Sequence, residues 1–185
     1  MTRHDSRLTA LERLLAGLPV RPMLPAPEVV AAADLPPLAR RLLDHHEHMT
    51  EIMEAYHGGR VAVEVQQRQR VGDEYFRQIV LRVGDRPDIV QGGLVRIFLP
   101  GLGAPVAEAI LAENVPLGYL LRQHQVLRRV ELTYLLRFPA HAALADWLGG
   151  RAAAPAYGRL ARLHCDGAPV IELCEVLPPG CGESV

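Results

Sequence analysis

Residues 168–179, "APVIELCEVLPP", decide how this chain folds. Read as a strand, they send successive side chains to opposite faces. Ile171, Leu173, Glu175 and Leu177 then share one side, and Val170, Glu172, Cys174 and Val176 the other. The preceding "YGRLARLHCDG" supplies a partner strand, and Asp166-Gly167 between them is a two-residue hairpin signal. Glu172 has mixed neighbours and can be solvated. Glu175 stands among large aliphatic side chains on its own face, where an ionised group needs a partner.

Working outward, the same alternation recurs upstream. "RVAVEVQQRQRV" (60–71) alternates Val61, Val63 and Val65 against Ala62 and Glu64, and "EYFRQIVLRVG" (74–84) follows. "DRPD" (85–88) turns the chain into "IVQGGLVRIFLP" (89–100). "RRVELTYLLRF" (128–138) is a further strand, with Val130, Leu132, Tyr134, Leu136 and Phe138 expected on one side. Helical spacing of Leu8, Leu11, Leu14, Leu15 and Leu18 predicts a helix over 6–18, followed by an extended proline-rich connector. A longer helix is expected from about Pro37 to Tyr56, ended by "HGG". Short helices are expected at "PVAEAILAEN" and "PLGYLLRQH". The whole predicts a single α+β domain: a largely antiparallel sheet of about six strands, helices packed on it, and an internal ligand cavity. Residues 1–35 read as an N-terminal helix and connector, 36–179 as the domain proper, and 180–185 as a flexible tail.

Composition narrows the function. The chain has 185 residues, 49% hydrophobic, with a formal net charge of −1. It has no basic cluster interleaved with aromatics and no helix-turn-helix segment, so no nucleic-acid partner is expected. No apolar run reaches the roughly 18 residues of a membrane span, and the N-terminus lacks a signal-peptide core. A monomeric cytoplasmic protein is expected. Cys165, Cys174 and Cys181 are odd in number and form no C-x-x-C pair, which argues against a disulfide framework or structural zinc. His45 and His48 in "DHHEHMTE" stand a helical turn apart, but nothing completes a ligand set; no metal and no cofactor are expected.

The strand at 74–84 repeats the puzzle of Glu175. Tyr75, Arg77, Ile79, Leu81 and Val83 share a face, so Arg77 is a guanidinium on apolar ground, while Arg82 and Gln78 lie opposite, where solvent suits them. Two arrangements satisfy both charges. Arg77 and Glu175 pair directly, holding strand register at little net gain because desolvation offsets attraction. Alternatively they face opposite ends of a small ligand, with Arg77 clamping a carboxylate through its fork.

"EYFRQIVL", "VPLGYLL", "YGRLARL", "GAPVIELCEVLPP" and the helical "HEHMTEIME" occur in the order and spacing of one family. Across residues 36–179 the chain resembles the chorismate pyruvate-lyase family. The resemblance implies conversion of chorismate to 4-hydroxybenzoate and pyruvate without a cofactor, by a carbon–oxygen lyase of aromatic biosynthesis. It places the carboxylate-binding arginine on Arg77 and the acidic residue near the ring hydroxyl on Glu175, these two being the catalytic pair. Backbone amides at Met49 and Leu117 would help hold the ring carboxylate. Arg128, Arg159 and Arg162 are the candidates for the enolpyruvyl side. Covers around Met49 and from "GLGAP" to Leu117 imply slow product release and product inhibition. The alternative is a non-catalytic domain of the same fold that senses a small aromatic carboxylate, because fold alone does not fix function.

Overall fold

The computed structural model describes residues 8–84 and 86–182. Seven strands form one sheet: β1 (Glu28–Val30), β2 (Val61–Val71), β3 (Glu74–Val83), β4 (Ile89–Phe98), β5 (Arg128–Phe138), β6 (Ala156–Cys165) and β7 (Ala168–Val176). Their order is β1-β5-β6-β7-β4-β3-β2, and every neighbouring pair is antiparallel. The α+β expectation holds, with β1 added from the segment read as a bare connector. Asp166 and Gly167 turn the β6–β7 hairpin at φ 49° and 88°, the positive values that a two-residue primed turn requires. Asp85 of the expected "DRPD" turn and the tail beyond Gly182 lie outside the described residues.

Among the described residues the helices are α1 (Thr9–Ala16), α2 (Pro37–Leu43), α3 (Met49–His57), α4 (Ala104–Leu111), α5 (Leu117–Gln123) and α6 (Ala142–Leu148). They cover both faces. On one, Leu11, Leu14, Leu15 and Leu18 of α1 and the chain just after it, with Leu144, Trp147 and Leu148 of α6, pack on Phe76, Leu94, Leu160 and Cys174. Burying a leucine of this kind stabilises the fold by roughly 1.5–3 kcal/mol, which fastens α1 to the sheet. On the other face, α2 to α5 cover two further clusters, one around Ile97, Leu121 and Ile171 and one around Leu43, Met53 and Leu81.

Two expectations fail for local reasons. β5 does not keep one apolar face: its register with β6 shifts between Leu132 and Tyr134. That extra residue turns Leu136 and Phe138 toward α1 while Val130 stays on the α5 side, as a bulge does. The helix expected from Pro37 to Tyr56 is two helices, interrupted at Asp44–His48, and the interruption serves a buried cation described below.

Adjacent glycines on β4 mark the two faces. A Cβ at Gly92 would lie 2.3 Å from Leu148 Cδ2, so α6 sits on bare backbone there. A Cβ at Gly93 would lie 2.9 Å from Ile79 Cγ1 and would stand on the floor of a cavity.

Candidate functional site

That cavity lies between the sheet and the N-termini of α3 and α5. Arg77, Gln91, Gly93, Arg159 and Glu175 line its floor, and Met49 and Leu117 its roof. It encloses about 600 Å³ of space between atoms, mouth included, but the centre of a water-sized sphere can occupy only about 50 Å³ of it. A single water needs on the order of 10–15 Å³ by that measure, so the free space admits only a small molecule. The walls are mostly aliphatic, including Ile79, Val95 and Leu173.

Register places the charges. Gly93 of β4 pairs with Glu175 of β7, and Glu175 pairs with Arg159 of β6. Arg77 of β3 pairs with Val95, one pleat further along the same face. The structure therefore brings Arg77, Glu175, Met49 and Leu117 around one cavity. The direct Arg77–Glu175 pair does not form.

Glu175 belongs to Arg159. Its Oε2 accepts from Arg159 Nε at 2.6 Å, and Arg159 is only 1% exposed. Arg159 Nη1 also donates to the carbonyls of His45 (3.0 Å) and Leu43 (3.4 Å), and Nη2 to that of Glu47 (3.4 Å). A buried guanidinium requires such acceptors, and a continuous helix would have spent those carbonyls on its own ladder. The break between α2 and α3 supplies them. It also makes Met49 the first residue of α3, where an amide has no intrahelical partner. Leu117 holds the same position in α5.

Arg77 is the reverse case. It is 1% exposed, and Nε, Nη1 and Nη2 find no hydrogen-bond partner among the described residues. Burial pushes its pKa down. Glu113, the carboxylate whose charge acts on Arg77, is already engaged: Tyr75 donates its hydroxyl to it, and Arg68 Nη1 lies 3.0 Å from its Oε2. Gln91, also 1% exposed, has an Oε1 without a partner. Its position on the apolar alternation of β4, two residues before Gly93, is legible in the sequence as a polar group on an apolar face.

Of the three further arginines, only Arg159 reaches the floor. Arg128 Nε donates to His48 Nε2 at the cavity's edge. Burial first, and the Arg128 charge second, push His48 down to about 4, so its ring is neutral at neutral pH. Arg162 is on the opposite face, 3.5 Å from Glu172. Glu172 is not solvated as expected: it is 8% exposed and also meets Arg13 at 3.0 Å and Arg96 at 3.1 Å. Gln78, assigned to solvent, is buried beside Gln67. Cys174 is fully buried, and burial raises its thiol pKa. Among the described residues no group of three or more His, Cys, Asp or Glu is placed to hold a metal. None of the described helices is long and apolar enough to cross a membrane.

No protein-family model matches the chain, and no curated protein matches it. Solved structures do. PhnF from Mycobacterium smegmatis superposes with a TM-score of 0.56 at 14% identity, over 75% of this chain and 66% of that one. The effector domain of PhnF from the same organism gives 0.51 at 14% identity, over 72% and 89%. The ligand-binding domain of a GntR-family transcriptional regulator from Bordetella bronchiseptica gives 0.49 at 16% identity, over 64% and 83%. The match thus spans just under two thirds of PhnF itself. At these identities the likeness is one of fold.

It corrects the enzyme expectation. The fold is one that an effector domain shares, and the carboxylate assigned to the substrate hydroxyl is held by Arg159. The carbon–oxygen lyase assignment falls, and with it 4-hydroxybenzoate and pyruvate formation, a part in aromatic biosynthesis, and product inhibition.

Proposed function

We propose that the chain is a non-catalytic, small-molecule-binding domain that senses a compact aromatic carboxylate held by Arg77. The observation that carries this reading is the guanidinium with three unpartnered nitrogens inside a cavity. Leaving a buried charge unpaired costs several kcal/mol, and a fold retains that cost where something bound in the cavity offsets it. A carboxylate fits the fork with two parallel charge-assisted hydrogen bonds. The first-turn amides of Met49 and Leu117 add donors from the roof, and aliphatic walls with bare backbone at Gly93 accept the flat body of a ring. The shared fold with an effector domain agrees with this use.

Calorimetric titration with benzoate and 4-hydroxybenzoate tests it. The expected result is one site per chain, with affinity reduced at least about 100-fold in Arg77→Met, the scale of a lost buried charge pair. Equal affinity in wild type and Arg77→Met, or no binding to wild type, overturns the proposal.

A further inference from the structure

We infer that the cavity is selective for monoanions, because the Arg159–Glu175 pair cancels one of its two buried cations and leaves Arg77 as the single charge to be met. This inference rests on reading the cavity as a ligand site and specifies the class of molecule that enters it.

The charges facing the cavity can be counted from the floor and the roof. Arg77 and Arg159 are the two guanidinium groups that line it, each 1% exposed. Glu175 sits 2.6 Å from Arg159, and the carbonyls of Leu43, His45 and Glu47 occupy the remaining face of that guanidinium. Arg159 therefore has little capacity left for a ligand. His48 at the rim is neutral at neutral pH. Gln91 adds a neutral amide, and the first turns of α3 and α5 add partial charge only. Glu113 beyond Tyr75 is matched by Arg68. Arg128 at the rim donates to His48 and lies 3.8 Å from Glu51, so among the described residues one full positive charge remains unmatched.

A monoanion brought to Arg77 leaves the chamber electrically balanced. A dianion of the same shape would place a second carboxylate against apolar walls and near Glu175, with no free cation to receive it. In a desolvated site a charge without a partner is penalised far more than a neutral polar group of equal size. Glu175 is thus a specificity-determining residue: it prevents Arg159 from acting as a second anion anchor.

The test compares isosteres. 4-Carbamoylbenzoate and terephthalate have the same outline and differ by one charge; succinamate and succinate repeat the comparison on a smaller frame. Calorimetry on the wild-type chain should show the monoamide binding at least about 100-fold more tightly than its diacid in one pair or both. Glu175→Gln, which frees Arg159, should shift that ratio toward the diacid by at least about 10-fold. The wild-type comparison decides the selectivity even if Glu175→Gln does not fold. A monoamide that binds no better than its diacid in either pair overturns the inference, and a folded Glu175→Gln with an unchanged ratio overturns the part given to Glu175. Benzoate separates the two levels: if it binds through Arg77 while the pairs show parity, selectivity alone fails; if nothing binds, the ligand site fails with it.

Discussion

Arg77 and Arg159 rise from the same face of one sheet, are equally buried and border the same cavity, yet Arg159 is met by a carboxylate and three backbone carbonyls while Arg77 meets no acceptor among the described residues. One guanidinium is finished by the fold. The other is not.

That difference has a thermodynamic sign. Replacing an unpaired buried charge with an apolar side chain of similar volume removes its desolvation cost. Arg77→Met should therefore stabilise the ligand-free protein by roughly 1–4 kcal/mol, read as a higher urea midpoint, and should lack the Tm rise expected of the wild type with benzoate. A destabilised Arg77→Met would mean that the arginine already has a partner.

For Arg159 the sign is opposite. Arg159→Met strands Glu175 and three carbonyls, at a cost of about 3–5 kcal/mol. Adding Glu175→Leu removes the stranded carboxylate, so the double variant should recover part of the loss. A complete double-mutant cycle measures the coupling; strictly additive losses would deny the pair.

Acid should weaken the fold before its carboxylates are titrated. An unfolded histidine takes up a proton near pH 6.5, whereas His48 in the fold resists until about 4. Burial lowers His45 and His57 in the same direction. The unfolded state thus binds more protons in that window, and stability present above about pH 6.5 declines as the pH falls toward 4. Urea midpoints between pH 7.5 and 5 should fall, and less steeply in His48→Asn. A flat profile would show His48 to be solvated.

The cavity floor can be probed by a single methyl group. Gly93→Ala puts a Cβ 2.9 Å from Ile79 Cγ1, a contact that forces Ile79 to shift. Loss of benzoate affinity by about 10-fold or more, with a stability cost of about 1–3 kcal/mol for overpacking, is expected. Unchanged affinity would place the ligand elsewhere in the cavity.

Period-two alternation made Arg77 and Glu175 legible as charges on apolar faces, because strand geometry is local and fixes which face a side chain takes. Their surroundings were not legible. Arg159 falls on the same face as Leu163 by simple counting, but only β6–β7 register sets it opposite Glu175, and register is a long-range property. The break at Asp44–His48 was hidden for a related reason: local propensity favoured one helix, and a guanidinium more than a hundred residues downstream claimed the carbonyls. The β5 bulge carried no proline or glycine to announce it. The lyase reading took site chemistry from a resemblance in short motifs, and neither such motifs nor a shared fold fixes what a site does.

The carbonyl cradle around Arg159 has a mechanical effect on the cavity. It ties the entry to α3 directly to strand β6, so that side of the lid is anchored to the sheet. α5 is joined to α3 through outward-lying side chains, Tyr119 to Glu54 and Arg122 to Glu51, and through the close seat of Gly118 on Thr50. Polar links at a solvated rim open at lower cost than a buried ion pair. These rim links add little to what holds α5, because its Leu120 and Leu121 are buried in the cluster around Ile97 and Ile171, so both sides of the roof are fixed to the sheet.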